Sequence, residues 1–205
     1  RELSREARDM QFVLFDNKYG VNIPSKEEVN WLAALKNELG MSCTVHFPHD
    51  ICLSTEPAER VRCEDSCLRI MELFAPLDPF AWILHLDGEQ YGAYPSAAET
   101  LDYNFRLVYS AVAENGISVC LDVGHLVRYG HPVLEQMETY LPVTRVIHIH
   151  GVKPDGTDHV DMSWFDAELF REILKKLGGD GRERVMTLEV FEDGYKKSLK
   201  AIKKM

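Results

Sequence analysis

The chain has 205 residues, of which 45% are hydrophobic and 27% charged, the balance of a globular protein long enough to bury one substantial core. Its 33 acidic and 23 basic side chains give a net charge of −10, so a broad basic surface for nucleic acid is absent by count, which counts against a DNA-binding enzyme without excluding one. No stretch approaches the ~18 apolar residues of a membrane span. Five cysteines, an odd number in a chain of this size, argue against a disulfide framework and for a reducing compartment, taken as the cytoplasm. Cys63 and Cys67 stand one helical turn apart and read as ordinary thiols, since no second pair completes a metal site. Arg1–Arg8 is polar and charged, unlike a secretory signal, and the chain reads as a segment whose start lies upstream.

Short apolar runs alternate with longer amphipathic ones. Gln11–Phe15 is expected as a strand. A helix is expected over Ser25–Leu39, capped by Ser25, with Glu28 three residues on and Gly40 as its stop. Ser42–His46 is the next strand. Pro57–Phe74 follows with helical periodicity that puts Leu68, Met71 and Phe74 on one side. Further strands are expected at Ala81–Leu86, Ile117–Val123, Arg145–Ile149 and Val185–Phe191. Helices are expected at Tyr103–Glu114, Pro132–Tyr140, Phe165–Leu177 and Tyr195–Lys204.

Strand followed by helix, repeated, predicts a parallel sheet with helices outside. The strands are continuous apolar runs, as expected where both faces are buried. The expected fold class is α/β, a (β/α)8 TIM barrel forming one domain over residues 1–205, with an open doubly wound sheet as the competing architecture. A closed barrel takes ~250 residues. The missing elements are a first strand before Gln11 and one in the Gly-, Ala- and Pro-rich interval 86–100, so the barrel is expected to be incomplete.

The histidines and carboxylates fall where such a fold concentrates chemistry. His46 ends one strand, His85 lies near the end of the next, and Asp122 and His125 close the fourth. His148 and His150 end the fifth, Asp158 and His159 lie in the loop beyond, and Glu189 is near the end of the last strand. The carboxyl ends of parallel strands share one face, so these residues are expected to converge. Imidazole with carboxylate suits Zn, Mn or Fe, and two or three such ions can clamp a phosphoryl oxygen and ionise water. In Asp122-Val-Gly-His125, Gly124 is expected to allow a tight turn that points both side chains into one pocket; the alternative is an Asp that merely caps the next helix. His150 is expected to face away from His148. His49 is a weaker candidate still, and His131, before Pro132, reads as a helix entry. Glu99 is a strand-end carboxylate if a segment is missing before it, and otherwise a surface loop residue.

These residues sit in HFPHD (46–50), LHLDG (84–88), CLDVGHL (120–126), IHIHGV (147–152), GTDHVDMS (156–163) and TLEVF (187–191). In that order they resemble the xylose isomerase-like barrels, which include sugar isomerases, epimerases and endonuclease IV, from about residue 11 to the end. The resemblance implies His46, His85, Glu99, Asp122, His125, His148, His159 and Glu189 as metal ligands. Asp158 is a looser match because its spacing to His159 differs. The segments 13–20, 44–51, 77–89 and 118–126 are most similar to cobamide-remodelling phosphodiesterases, which cleave the nucleotide-loop phosphodiester of a corrinoid. That implies a metal-dependent phosphodiesterase with Glu99 and Glu189 bridging or orienting metals and water. A sugar phosphate isomerase or epimerase is the alternative, and a non-catalytic degenerate barrel the second alternative. The expected partner is a small molecule, corrinoid or sugar phosphate, rather than a membrane or nucleic acid.

Overall fold

The computed structural model of the protein describes residues 6–17, 20–48, 57–84, 117–191 and 193–205. It divides into two compact units, Arg1–Tyr103 and Asn104–Met205. The expected helix at Tyr103–Glu114 and the site candidates His49, His85 and Glu99 lie outside the described residues.

In the first unit, β1 (Asp9–Val13) starts and stops two residues earlier than its apolar run suggests. The Asn22 side chain accounts for the early stop: it accepts from the Phe15 amide at 2.6 Å and donates to the Val13 carbonyl at 2.9 Å. The chain then turns into a small antiparallel hairpin, β2 (Asp16–Asn17) with β3 (Gly20–Val21). Helix α1 (Lys26–Leu39) has the expected ends. Ser25 and Glu28 form a reciprocal capping box, and Gly40 closes the helix at φ 61°, a left-handed conformation that suits glycine. Strand β4 (Ser42–His46) lies in the middle of a three-stranded parallel sheet, between β1 and β5 (Ala81–Ile83). Its last residue, His46, is in register with Val13 and Ile83.

Helix α2 (Pro57–Phe74) occupies its expected span but not its expected face. Cys63, Ile70 and Phe74 are buried, whereas Leu68 and Met71 are exposed. At about 100° per residue, Leu68 lies across the helix from Ile70 and Met71 lies at the margin of the buried stripe. Cys63 and Cys67 are not disulfide-bonded, and the core joins Leu14, Val29, Val45, Phe47, Ile70 and Phe74.

The second unit is a parallel sheet in the order β6 (Val119–Asp122), β7 (Thr144–Ile149), β8 (Val185–Leu188). Its helices are α3 (Val123–Arg128), α4 (Val133–Tyr140), α5 (Ala167–Leu177) and α6 (Gly194–Ile202). The central strand β7 is buried at every position except Arg145, as expected of a parallel strand covered on both faces. Helix α3 was not expected; it truncates the predicted strand Ile117–Val123, because the chain turns helical directly after Asp122. Likewise β8 ends three residues short of Phe191, although the Glu189 amide still donates to Ile149 O at 3.1 Å. The core gathers Leu121, Val123, Met137, Ile147, Ile149, Met162, Phe170 and Ile173. Among the described residues, no helix is long and apolar enough to cross a membrane.

One guanidinium fixes the start of this sheet. Arg184 donates through Nε to Thr144 O at 3.1 Å and through Nη2 to Leu141 O at 2.8 Å, while Asp180 holds it from outside at 2.8 Å. Removing the donors takes this partner from Thr144 O and leaves Leu141 O with only the Thr144 amide. Arg184→Met is therefore expected to lower stability by roughly 1–3 kcal/mol, measured by urea denaturation; an unchanged midpoint would show that the clamp is dispensable.

Candidate metal centre

Strand register builds the site. Asp122 pairs with His148 across β6 and β7, and Glu189 follows directly after Leu188, the partner of Ile149. Three chemically distinct donors thus arrive side by side at the carboxyl ends of three adjacent strands. His148 Nδ1 lies 3.1 Å from Glu189 Oε2 and 3.9 Å from Asp122 Oδ2. His148 is buried, and its ring also meets the side chain of Cys120.

Asp122 caps a helix and faces the site at once. Its Oδ1 accepts the His125 amide at 2.8 Å as the N-cap of α3, and its Oδ2 lies 2.9 Å from His125 Nδ1. The two readings of this motif, cap and site residue, are not exclusive. Gly124, however, does not serve as a tight turn. It is helical and fully enclosed, and a Cβ there would overlap the ring of His150. Glycine is required because an imidazole fills the space.

The loop after β7 brings the next donors back over the strand ends. An antiparallel bridge between Gly151 and Val160 closes it. Asp158 Oδ1 lies 3.1 Å from His159 Nδ1, Asp158 Oδ2 lies 3.5 Å from His125 Nε2, and Arg128 pairs with the same carboxylate. His159 Nε2 reaches Glu189 Oε2 at 3.7 Å and its ring stacks on Phe191. His159 adopts φ 52°, an uncommon conformation for a side-chain-bearing residue, which typically costs ~1–3 kcal/mol. Both its backbone groups are held: the amide donates to His150 Nδ1 at 3.1 Å, and the carbonyl accepts from Phe191 N at 3.2 Å.

His150 corrects the sequence reading. It was expected to face away from His148, yet residues two apart in a strand share a face. His150 is completely buried, its Nε2 lies 3.6 Å from Asp122 Oδ1, and its ring stacks on His159 with centroids 4.2 Å apart. Correctly applied, the period of two would have found it. Arg128 was also missed, and no local signal marked it. In the first unit, His46 ends β4 fully buried, with Nδ1 2.7 Å from Phe47 O. A ring nitrogen that close to a carbonyl is the donor.

Electrostatics ties the groups into a single unit. Burial pushes the Asp122 carboxyl up, but the His125 and His150 side chains and the His125 amide outweigh it and hold the group well below the usual range. Glu189 is likewise held low against burial by His148 and His159. The imidazoles move the opposite way. Asp122 raises His125, and Glu189 raises His159. Burial opposes the charged form of His148, yet its contacts with Cys120 and Glu189 push it up to about 10.

The donor chemistry fits divalent cations. Ligand atoms of Asp122, His148 and Glu189 lie within 4.8 Å of one another, and so do those of His125, His150 and His159. Imidazole and carboxylate together suit Zn, Mn or Fe.

No protein-family model matches the chain, and no curated protein matches it. Solved structures do. A D-psicose 3-epimerase from Clostridium cellulolyticum H10, solved with D-tagatose, superposes with a TM-score of 0.63 at 13% identity, over 98% of this chain and 89% of that one. A xylose isomerase domain protein from Planctomyces limnophilus gives 0.60 at 11% identity, over 96% and 86%. A probable 3-DHS dehydratase involved in petrobactin synthesis from Bacillus anthracis gives 0.54 at 17% identity, over 96% and 74%. The chain therefore shares the fold of these proteins, an α/β TIM barrel, in an incomplete form. A phosphodiesterase is not among these three.

Two outcomes follow from the geometry. Gly124→Ala is expected to displace the His150 ring, to cost roughly 1–3 kcal/mol of stability by overpacking, and to weaken metal binding; an alanine variant with wild-type melting and metal affinity would contradict this account. The carboxylates also hold protons on His125, His148 and His159, and an incoming cation has to displace them. Metal affinity is thus expected to rise with pH toward about 10, the level to which His148 is pushed, with proton release. Calorimetry in buffers of different ionisation enthalpy measures this, and a pH-independent affinity would contradict it.

Proposed function

We propose that the chain is a divalent-metal enzyme acting on a small polyhydroxylated molecule, and that its reaction is isomerisation or epimerisation of a sugar or sugar phosphate. The reading is carried by the convergence of Asp122, His148 and Glu189 at the carboxyl ends of adjacent parallel strands, the face on which barrels of this type build active sites. A divalent cation held by these residues supplies a Lewis acid for a substrate carbonyl or hydroxyl oxygen. The chain's own groups do the remainder. Glu189 accepts the proton from the carbon beside the carbonyl, with Glu99 as the second carboxylate that the sequence resemblance implies. With one cation on Asp122, His148 and Glu189, the second donor set stays free of metal, so His125 and His159 keep their protons and donate to substrate oxygens, oriented by Asp158 braced on Arg128. His46 and His85 are proposed as further ligands on the resemblance alone, within a single barrel domain spanning residues 1–205. The epimerase and isomerase-domain proteins that share the fold support this reading.

A second reading has a specific observation in its favour. Isomerisation needs about one cation, whereas the site offers two adjoining donor sets. Cations held by Asp122, His148 and Glu189 and by the second donor set would supply paired Lewis acids of the kind that suits phosphodiester cleavage. The substrate would be the nucleotide loop of a cobamide, as the sequence resemblance suggests.

The two readings separate experimentally. Protein loaded with Mn or Co is incubated in deuterium oxide with a panel of ketoses and ketose phosphates, and in parallel with an adenosylated cobamide. Isomerisation predicts about one metal per chain and deuterium incorporated next to the carbonyl. Several metals per chain, no exchange and a cleaved cobamide would overturn it in favour of the hydrolase.

A further inference from the structure

His150 has the geometry of a metal ligand, but its hydrogen bonds give it a different role. A backbone N–H can only donate, and the His159 amide points at His150 Nδ1 from 3.1 Å. The Nδ1 lone pair is therefore engaged. In a neutral imidazole the proton then sits on Nε2, and a protonated nitrogen cannot bind a cation. The competing contact, Gly151 O at 3.2 Å from the same Nδ1, would require the proton there and would oppose the His159 amide. Nε2 has no hydrogen-bond partner closer than 3.5 Å; it faces Asp122 Oδ1 at 3.6 Å. The ring is fixed on three sides, by the enclosed Gly124 beneath it, by His159 stacked at 4.2 Å with planes 15° apart, and by His125 edge-on at 5.3 Å.

We propose that His150 is the positioning residue of this centre and not one of its ligands: Nδ1 holds the His159 amide in its left-handed conformation while Nε2–H steadies the Asp122 carboxylate. One imidazole thereby couples the strand-borne donors to the loop-borne ones. With His150 removed from the ligands, Asp158 becomes the natural third member of the second set. It already lies 3.5 Å from His125 Nε2 and 3.1 Å from His159 Nδ1. The inference rests on the reading of the site as a metal centre, but its first test does not need a metal.

The tautomer is read directly in metal-free, 15N-labelled protein by long-range 1H–15N correlation of the imidazole rings. The Nε2–H form is expected for His150, and an Nδ1–H form overturns the proposal. Zn2+ titration of the wild type, His150→Gln and His150→Ala gives the second readout. The alanine variant is expected to keep the wild-type stoichiometry while losing about 10–100-fold in affinity, as for other residues that orient ligands. Glutamine, whose amide N–H can replace Nε2–H, is expected to recover most of that loss. Loss of one metal equivalent from both variants overturns the proposal. Should the alanine variant fail to fold, the glutamine variant and the wild-type tautomer decide. A wild type that binds no Zn2+ would remove the metal-centre reading, and the tautomer would still judge His150.

Discussion

Asp122, His148 and Glu189 owe their places to the register of three parallel strands. Asp122 opposes His148 because Leu121 opposes Ile147, and Glu189 arrives beside them because Ile149 opposes Leu188. A slip of one residue would turn each side chain to the other face of the sheet. The register is in turn fixed by buried apolar contacts, with Leu121, Ile147 and Ile149 in one core cluster. The polar cluster is thus placed by hydrophobic packing one residue away from it.

The burial of that cluster sets its chemistry. Four imidazoles and three carboxylates crowd a space where an isolated charge is costly, so the charges persist by pairing. Carboxylates hold protons on the imidazoles, and the imidazoles hold the carboxylates ionised. Such a group is already arranged for positive charge. A divalent cation replaces protons with little rearrangement of the surrounding chain, which is what an orienting shell provides.

Much of this was legible in the sequence, for identifiable reasons. Helix α1 was readable to its caps because Ser25, Glu28 and Gly40 act through local backbone bonds. Helix α2 was placed in full, but its inward face was not, because Leu68 is as apolar as Ile70 and only packing separates them. Asp122, His148 and Glu189 stand side by side as read from the sequence because parallel α/β topology puts strand ends on one face. Asp158 joined them despite its irregular spacing, through a loop whose path depends on a bridge between Gly151 and Val160. Arg128 could not be read: it reaches Asp158 from a helix that interrupts what looked like a longer strand. Gly124 was singled out correctly and for the wrong reason, since the sequence displays a small residue but not the ring that needs the room.

The Gly151–Val160 bridge also divides the centre by origin. Asp122, His148 and Glu189 stand at the ends of a packed sheet, whereas Asp158 and His159 belong to a loop closed on itself before it rejoins the helix α5. The span between Lys153 and Thr157, held by a hydrogen bond of 2.8 Å and a turn at Gly156, is the tip of that loop. Residues can be gained or lost there without disturbing strand register. The two halves of the donor array can therefore diverge at different rates, one conserving a scaffold for a cation and the other free to reshape what is offered to a substrate.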